Sequence, residues 1–404
     1  MSGLLAFLPV AIIAFVFVLS LVVTVHELGH FLAAKACGVA IDRFSLGFGR
    51  AIASYRDKAG VEWTIGWLPL GGYVRFSGDE NAASVPDQDD LTTLRKHVVE
   101  QEGEAAVSRY FHFKPLWQRA IVVAAGPMAN FLLAIALFAA LVMSVGEITY
   151  EPKVTVSEPA GPAAIAGIRD GDVIKTMNGV AIPSFTDLVN FTRTHANVPV
   201  KIEIQRGDES LTVTATPVLQ EINDRIGGRM KVGMLGLGAH RDMKIERRRL
   251  GPIGAVAYGT QQTWSVLSMT VTYLGRVVTG QIPADQIGSL LGIGNTAGKV
   301  AQAGAEGAPN VAMGLLGSVV ALLGLAAFLS ISIGFMNLLP LPVLDGGHLL
   351  FYAYEAVARR PLPARIQAIS YRLGLALLVG FMLFATWNDF QRLRVFNFLG
   401  GLFS

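Results

Sequence analysis

The run His26-Glu27-Leu28-Gly29-His30 has the side chains and the spacing of metal-assisted amide hydrolysis. Positions four apart share one face of a helix, so His26 and His30 can hold one divalent ion through neutral imidazole nitrogens, with Glu27 beside it as a general base. Two histidines do not complete such a site. A catalytic zinc expects a third protein ligand and an open position, and the candidate is Asp345, in Asn337-Leu-Leu-Pro340-Leu-Pro342-Val-Leu-Asp345-Gly346-Gly347. The prolines break a helix there, and unwound backbone at membrane depth is tolerated only where protein buries it or a cavity adjoins it. Asp345 then offers an oxygen ligand, and Asn337 a hydrogen-bond donor to a substrate.

A bilayer must position these groups. The first 25 residues carry no charged side chain, and the chain is 52% hydrophobic and only 16% charged, with a mean hydropathy of +0.48. Soluble domains carry about 25% charged residues. Ionisable groups in a spanning segment cost on the order of 2.5 to 3.5 kcal/mol each, so they mark function by default. Four segments approach the ~20 apolar residues of a membrane helix: 4–35, 121–145, 311–344 and 366–387. Ten basic residues from Arg43 to Arg119 follow the first, and Arg359, Arg360, Arg365 and Arg372 lie around the link between the third and fourth. Both links are expected on the cytoplasmic side, which puts the motif near that face and turns 146–310 outward. The net charge of +3 lies in these flanks and forms no long basic run, so topology explains it better than nucleic acid does. The uncharged stretch 251–275 is expected to lie on the outer interface, because a crossing there would carry Asp345 to the wrong side. The first segment lacks a basic leader and runs straight into the motif, so it is expected to be retained. A single cysteine, Cys37, excludes an intrachain disulfide framework and a cysteine-rich metal site.

Two further modules follow from local patterning. Residues 61–76 alternate and are rich in glycine, suggesting a hairpin that dips toward the motif, with Gly72, Tyr73, Val74, Arg75 and Phe76 offering an edge to an extended substrate. Residues 77–101, with Asp79, Glu80, Asp87, Asp89 and Asp90, read as a solvated loop without chemistry. Residues 151–217 read as a small module with short strands at 153–156 and 200–204, a turn over 167–174 and a helix near 184–195. Its Gly-Ile-Arg-Asp-Gly-Asp-Val-Ile turn and Met177-Asn178-Gly179 resemble a PDZ domain, a fold that takes peptide ends by strand addition.

The expected fold class is an α-helical polytopic membrane protein with four transmembrane helices, a cytoplasmic-side β-hairpin and one outward-facing α+β PDZ-like domain. Its expected parts are a first transmembrane helix (1–36), a cytoplasmic-side loop with the membrane-dipping hairpin (37–118), a second transmembrane helix (119–145), the PDZ-like domain (146–240), an interfacial helix and linker (241–310), a third transmembrane helix (311–355), a fourth (366–390) and a tail (391–404).

With its H-E-x-x-H, its Ala125-Gly126-Pro127-Met128-Ala129-Asn130 element and its N-x-x-P-x-P-x-L-D-G-G element in three successive spans, the chain resembles the site-2 protease family of intramembrane zinc metalloproteases, closest in outline to its bacterial RseP-like branch. The resemblance implies Zn²⁺ on His26, His30 and Asp345, with Glu27 catalytic and Asn337 near the scissile bond. It gives His348, three residues beyond Asp345, no ligand role, and the partial match at 288–293 carries no role either. It also implies hydrolysis inside the transmembrane segments of single-span proteins after a first cut, such as an anti-sigma factor or signal-peptide remnants, in the bacterial inner membrane. The expected partners are those substrates, peptide ends at the PDZ-like module and lipid, without nucleic acid. The alternatives are a non-catalytic adaptor with a structural zinc, which has no need of Glu27, and a transporter, for which no inverted repeat is visible.

Overall fold

The computed structural model describes residues 2–78, 88–223, 229–280 and 288–392. Most of the expected tail, 393–404, and the acidic residues Asp79, Glu80 and Asp87 lie outside the described residues. In chain order the elements are α1 (Ser2–Ala36), β1 (Ile41–Arg56), β2 (Glu62–Phe76), α2 (Gln88–Glu102), α3 (Glu104–Val107) and α4 (Leu116–Val145). There follow β3 (Glu147–Tyr150), β4 (Val154–Val156), α5 (Pro162–Ile165), β5 (Val173–Met177), β6 (Val180–Ala181), α6 (Phe185–Thr194), β7 (Val200–Arg206), β8 (Glu209–Ala215), β9 (Val218–Asn223), β10 (Arg229–Met234), β11 (Leu237–Ala239) and β12 (Ile245–Arg248). The last elements are α7 (Pro252–Val278), α8 (Leu290–Ala305), α9 (Val311–Asn337), α10 (Asp345–Ala358) and α11 (Ala364–Arg392).

Among the described residues four helical stretches are long and apolar enough to cross a membrane: Phe7–Ala36, Leu116–Val145, Val311–Asn337 and Arg365–Gln391. Helix α7 is not one of them. Its Gln261, Gln262 and Thr263 dilute the apolar run, and Thr263 is buried while Trp264 is exposed.

The contacts divide into two units. The first comprises 1–138, 262–267 and 288–389. Small side chains let its helices approach: Ala14, Val18 and Val22 of α1 pack with Ala297 and Ala301 of α8 and with Leu322 and Ala326 of α9. Lipid tails are as apolar as these faces, so close van der Waals contact rather than hydrophobic burial holds such helices together. Helix α8 is capped from a distance, since Asp389 of α11 accepts the Ser289 N–H (2.6 Å), the Ser289 hydroxyl and the Gly292 N–H (2.9 Å).

The sheet of this unit differs from the single hairpin expected within 61–76. Residues 62–76 form one long bent strand whose partner is β1. Residues 43–46 of β1 pair on one side with 62–65 and on the other with 72–75, and 51–56 of β1 pairs with the outer side of 62–66. Four segments therefore lie in the order 72–76, 41–46, 62–66, 51–56. The reversal sits at Asp57, whose carboxylate accepts the Ala59 and Val61 N–H groups and the Trp63 Nε1–H, with Gly60 at φ +90°. Alternation alone could not separate a hairpin from a strand. The outer segments expose Ile52, Tyr55 and Trp67, an apolar rim that water does not favour.

The loop expected over 77–101 is also corrected, because α2 occupies 88–102. Leu94 and Val98 fall on one face and pack with Ala106, Val107 and Tyr110, so an amphipathic period was hidden among the charges.

The second unit comprises 139–261 and 268–287 with the chain end. A four-stranded sheet ordered β6-β5-β7-β8 and helices α5 and α6 enclose a core of Val154, Ile174, Met177, Leu188, Val200, Ile202 and Ile204. The turn motif has a structural reason. Asp172, 1% exposed, accepts the Arg169 N–H and receives Arg206 through two 2.8 Å bonds, while Gly167 and Gly171 take φ of +87° and +85°.

Candidate metal centre

The centre is assembled from α1, residues 116–138 of α4, the broken end of α9 and the first turn of α10, all within the first unit. One turn of α1 puts His26 and His30 on the same face, with Nε2 atoms 3.2 Å apart. Asp345 reaches them from the first turn of α10, its Oδ2 3.2 Å from His26 Nε2 and 3.6 Å from His30 Nε2. Helix α9 stops at Asn337 because Pro340 and Pro342 follow. Gly346 and Gly347 then allow the tight re-entry into α10: a Cβ on Gly346 would overlap the Leu338 and Leu339 carbonyls, and one on Gly347 would overlap Leu341.

Three metal-donor atoms converge here. Among the described residues the buried Asp345 Oδ2 makes no properly angled hydrogen bond despite its histidine neighbours. The ligand atoms of His26, His30 and Asp345 all lie within 4.8 Å of one another. A tetrahedral zinc with bonds near 2.0–2.1 Å sets its ligand atoms about 3.3 Å apart, and the three separations here are 3.2, 3.2 and 3.6 Å. Two imidazoles and one carboxylate with an orphaned buried oxygen therefore fit zinc in size and in donor chemistry.

The other expected residues gather around this cluster. Asn337 brings Nδ2 to 3.4 Å from His26 Nε2. Glu27 lies against the edge segment of the sheet: Gly72 packs so closely that a Cβ there would stand 3.0 Å from Glu27 Cγ and 2.8 Å from the Ser45 carbonyl. The Val74 N–H is directed at the Glu27 carboxylate. Ser77 N–H bonds to the Ala40 carbonyl on the β1 side, and N–H groups alternate along a strand, so Tyr73 and Arg75 face β1 while Gly72 and Val74 face the open edge. The remaining side chains of the segment are engaged locally. Tyr73 stacks on Phe48, Arg75 approaches Asp42 at 3.8 Å, and Phe76 stacks on Phe111 among Val39 and Val122. Phe76 thus anchors the end of the strand. His348 pairs with Tyr371, its Nε2 2.8 Å from the phenol oxygen, and stands outside the cluster.

Sequence reasoning assigned no work to α4, which supports both histidines. His30 Nδ1 donates to the Val122 carbonyl at 2.9 Å. Gly29 and Gly126 let the helices close: a Cβ on Gly29 would overlap the Ala125 carbonyl, and one on Gly126 would overlap the His30 ring. Asn130, fully buried, faces His26 Nδ1 at 3.2 Å. The available signal was a glycine and an amide four apart on an otherwise apolar helix, the spacing of one contact face. Gly126→Ala is accordingly expected to weaken zinc binding about tenfold or more, although alanine favours a helix by roughly 1 kcal/mol; competition with a chromogenic chelator measures it.

Comparisons with known proteins give the family. The model of peptidase family M50 matches residues 14–381. Metalloprotease MmpA of Caulobacter vibrioides is 52% identical over 397 residues, covering 98% of this chain and 99% of its own. A putative zinc metalloprotease of Agrobacterium fabrum is 38% identical over 388 residues, 96% of this chain and 97% of its own. Zinc metalloprotease RasP of Bacillus licheniformis is 33% identical, with 95% and 99% covered. The chain belongs to peptidase family M50, the site-2 proteases, and is an enzyme of metal-dependent peptide hydrolysis.

Proposed function

We propose that this zinc metalloprotease hydrolyses peptide bonds within the transmembrane segments of single-span membrane proteins, with His26, His30 and Asp345 as zinc ligands and Glu27 as the catalytic base. The observation that carries the proposal is the convergence of His26 and His30, on a helix long and apolar enough to span a bilayer, with Asp345 at the break that follows another such helix, while Glu27 lies against a strand edge that is unpaired among the described residues. Zinc, when bound, supplies a Lewis acid that polarises a peptide carbonyl and acidifies water. Glu27 takes the proton of the attacking water and passes it to the departing amine, so that the C–N bond breaks as a free carboxyl and a free amine form. Asn337 donates its amide to the substrate backbone beside His26.

A substrate helix hides its amides in its own hydrogen bonds and must be drawn out before hydrolysis. The open edge of 72–75 faces Glu27, and a substrate strand added there would run past the base in extended form. The exposed Ile52, Tyr55 and Trp67 suit a sheet that dips into lipid.

The second unit supports a role in reading peptide ends. A groove of about 280 Å³ runs between α6 and residues 232–239, lined by Leu188, Val189, Val232, Leu235 and Leu237, with Arg193 at its border. Among the described residues the Leu235 and Gly236 N–H groups bond to no carbonyl, and such a pair suits a terminal carboxylate. In this proposal the unit is the PDZ-like domain of 146–240, it faces the periplasm of a bacterial inner membrane, α7 lies on the outer surface, and the metal centre lies toward the cytoplasm, as the basic flanks of the spans favour. The domain then admits substrates already shortened by a first protease, anti-sigma factors and signal-peptide remnants among them.

The test is cleavage of a truncated single-span reporter by the purified full chain in lipid. Cleavage should stop on chelation, return with Zn²⁺, and map by mass spectrometry to the reporter's apolar segment. A cut outside that segment, or one that persists with zinc removed, would sink the proposal.

A further inference from the structure

Resting on the assignment of His26 as a zinc ligand, we infer that the Asn130 carboxamide oxygen accepts the Nδ1–H of His26 and thereby fixes the tautomer that turns its Nε2 toward the metal. A ligating imidazole is neutral, so coordination through Nε2 leaves the proton on Nδ1, where a second partner must accept it. His30 meets the requirement without adjustment, because its Nδ1 faces the Val122 carbonyl at 2.9 Å and a carbonyl only accepts. His26 faces a side chain with one end of each kind. Asn130 presents Nδ2 to His26 Nδ1 at 3.2 Å, and its Oδ1 is buried without a partner among the described residues.

Two N–H donors cannot bond to each other, and a half-turn of the carboxamide exchanges oxygen for nitrogen. That half-turn gives the orphaned oxygen a donor and His26 an acceptor. The residue is otherwise held in place: Asn130 is 0% exposed, its backbone carbonyl accepts the Ser330 hydroxyl at 2.8 Å, and Gly334 brings α9 against it so closely that a Cβ there would lie 3.1 Å from Asn130 Cβ. Orientation of the amide is the freedom that remains. Asn130 is thus a positioning residue, and it acts on the metal only through His26.

Zinc affinity of the purified full chain, measured by competition with a chelator, separates this from a purely structural amide. Asn130→Leu offers no acceptor and should bind Zn²⁺ about 10- to 100-fold more weakly. Asn130→Asp keeps the shape, offers acceptors only, and should bind within about threefold of the unaltered chain or more tightly. Co²⁺ in the same site gives a second readout, since its visible absorption should be unchanged in Asn130→Asp and altered in Asn130→Leu. Aspartate as weak as leucine, or leucine as tight as the unaltered chain, overturns the inference. His26→Ala in the same titration tells the two levels apart. Its zinc loss together with full binding by Asn130→Leu removes only the role of Asn130, whereas unchanged zinc binding by His26→Ala removes the ligand assignment beneath it.

Discussion

Glu27→Gln is expected to lower kcat for a transmembrane reporter by about a hundred- to ten-thousand-fold while zinc content and KM hold near those of the unaltered chain. Glutamine matches glutamate in volume, and its carbonyl oxygen can still receive the Val74 N–H that is directed at position 27. What it lacks is a basic oxygen. The ligand atoms of His26, His30 and Asp345 are untouched by the change, so a fall in rate without a fall in zinc isolates proton transfer from metal binding. Asp345 is the other carboxylate beside the two histidines among the described residues, and its Oδ2 stands 3.2 Å from His26 Nε2, turned to the cluster. A zinc-loaded Glu27→Gln chain that cleaves at the ordinary rate would require a base from elsewhere and would discard the assignment.

Much of this centre was legible because it rests on local periodicity. The offset of His26 and His30 is a helical turn, and the apolar stretch before them is one side of the bilayer problem. Asp345 was legible for a different reason: a carboxylate among prolines and glycines at the end of an apolar run signals a break, and the break is where α9 yields to α10. The support from α4 was not legible. Gly29 and Gly126 matter because two helices cross there, and a crossing is a property of the packed pair that neither segment states alone. The same holds for the sheet. Residues 61–76 have the alternation of a strand and the glycines of a turn, and the choice was made by Asp57, outside the segment, which gathers Ala59, Val61 and Trp63 into the reversal. Helix α2 was missed since its apolar period is short and most of its residues are polar or charged.

Val74→Pro is expected to lower cleavage about thirtyfold or more with zinc affinity unchanged, if extended substrate adds to the open edge of 72–75. Proline removes the one N–H at position 74, and its ring pushes an added strand away from the neighbouring carbonyl on the same edge, so two main-chain bonds at about 1 kcal/mol each account for that factor. The substitution is selective because of strand parity. Tyr73 and Arg75 direct their N–H groups to β1, where they pair opposite Ser45 and Arg43, so the segment keeps its place in the sheet when Val74 loses its own. Phe76 keeps its stack on Phe111 and continues to anchor the strand end. Val74→Ala supplies the control, since it removes the side chain and retains the N–H; cleavage near the ordinary rate there, with loss in Val74→Pro, assigns the effect to the backbone. Proline tolerated at position 74 with zinc bound would mean that substrate reaches Glu27 without pairing to this strand, and the sheet would then be a scaffold that only holds α1 in place.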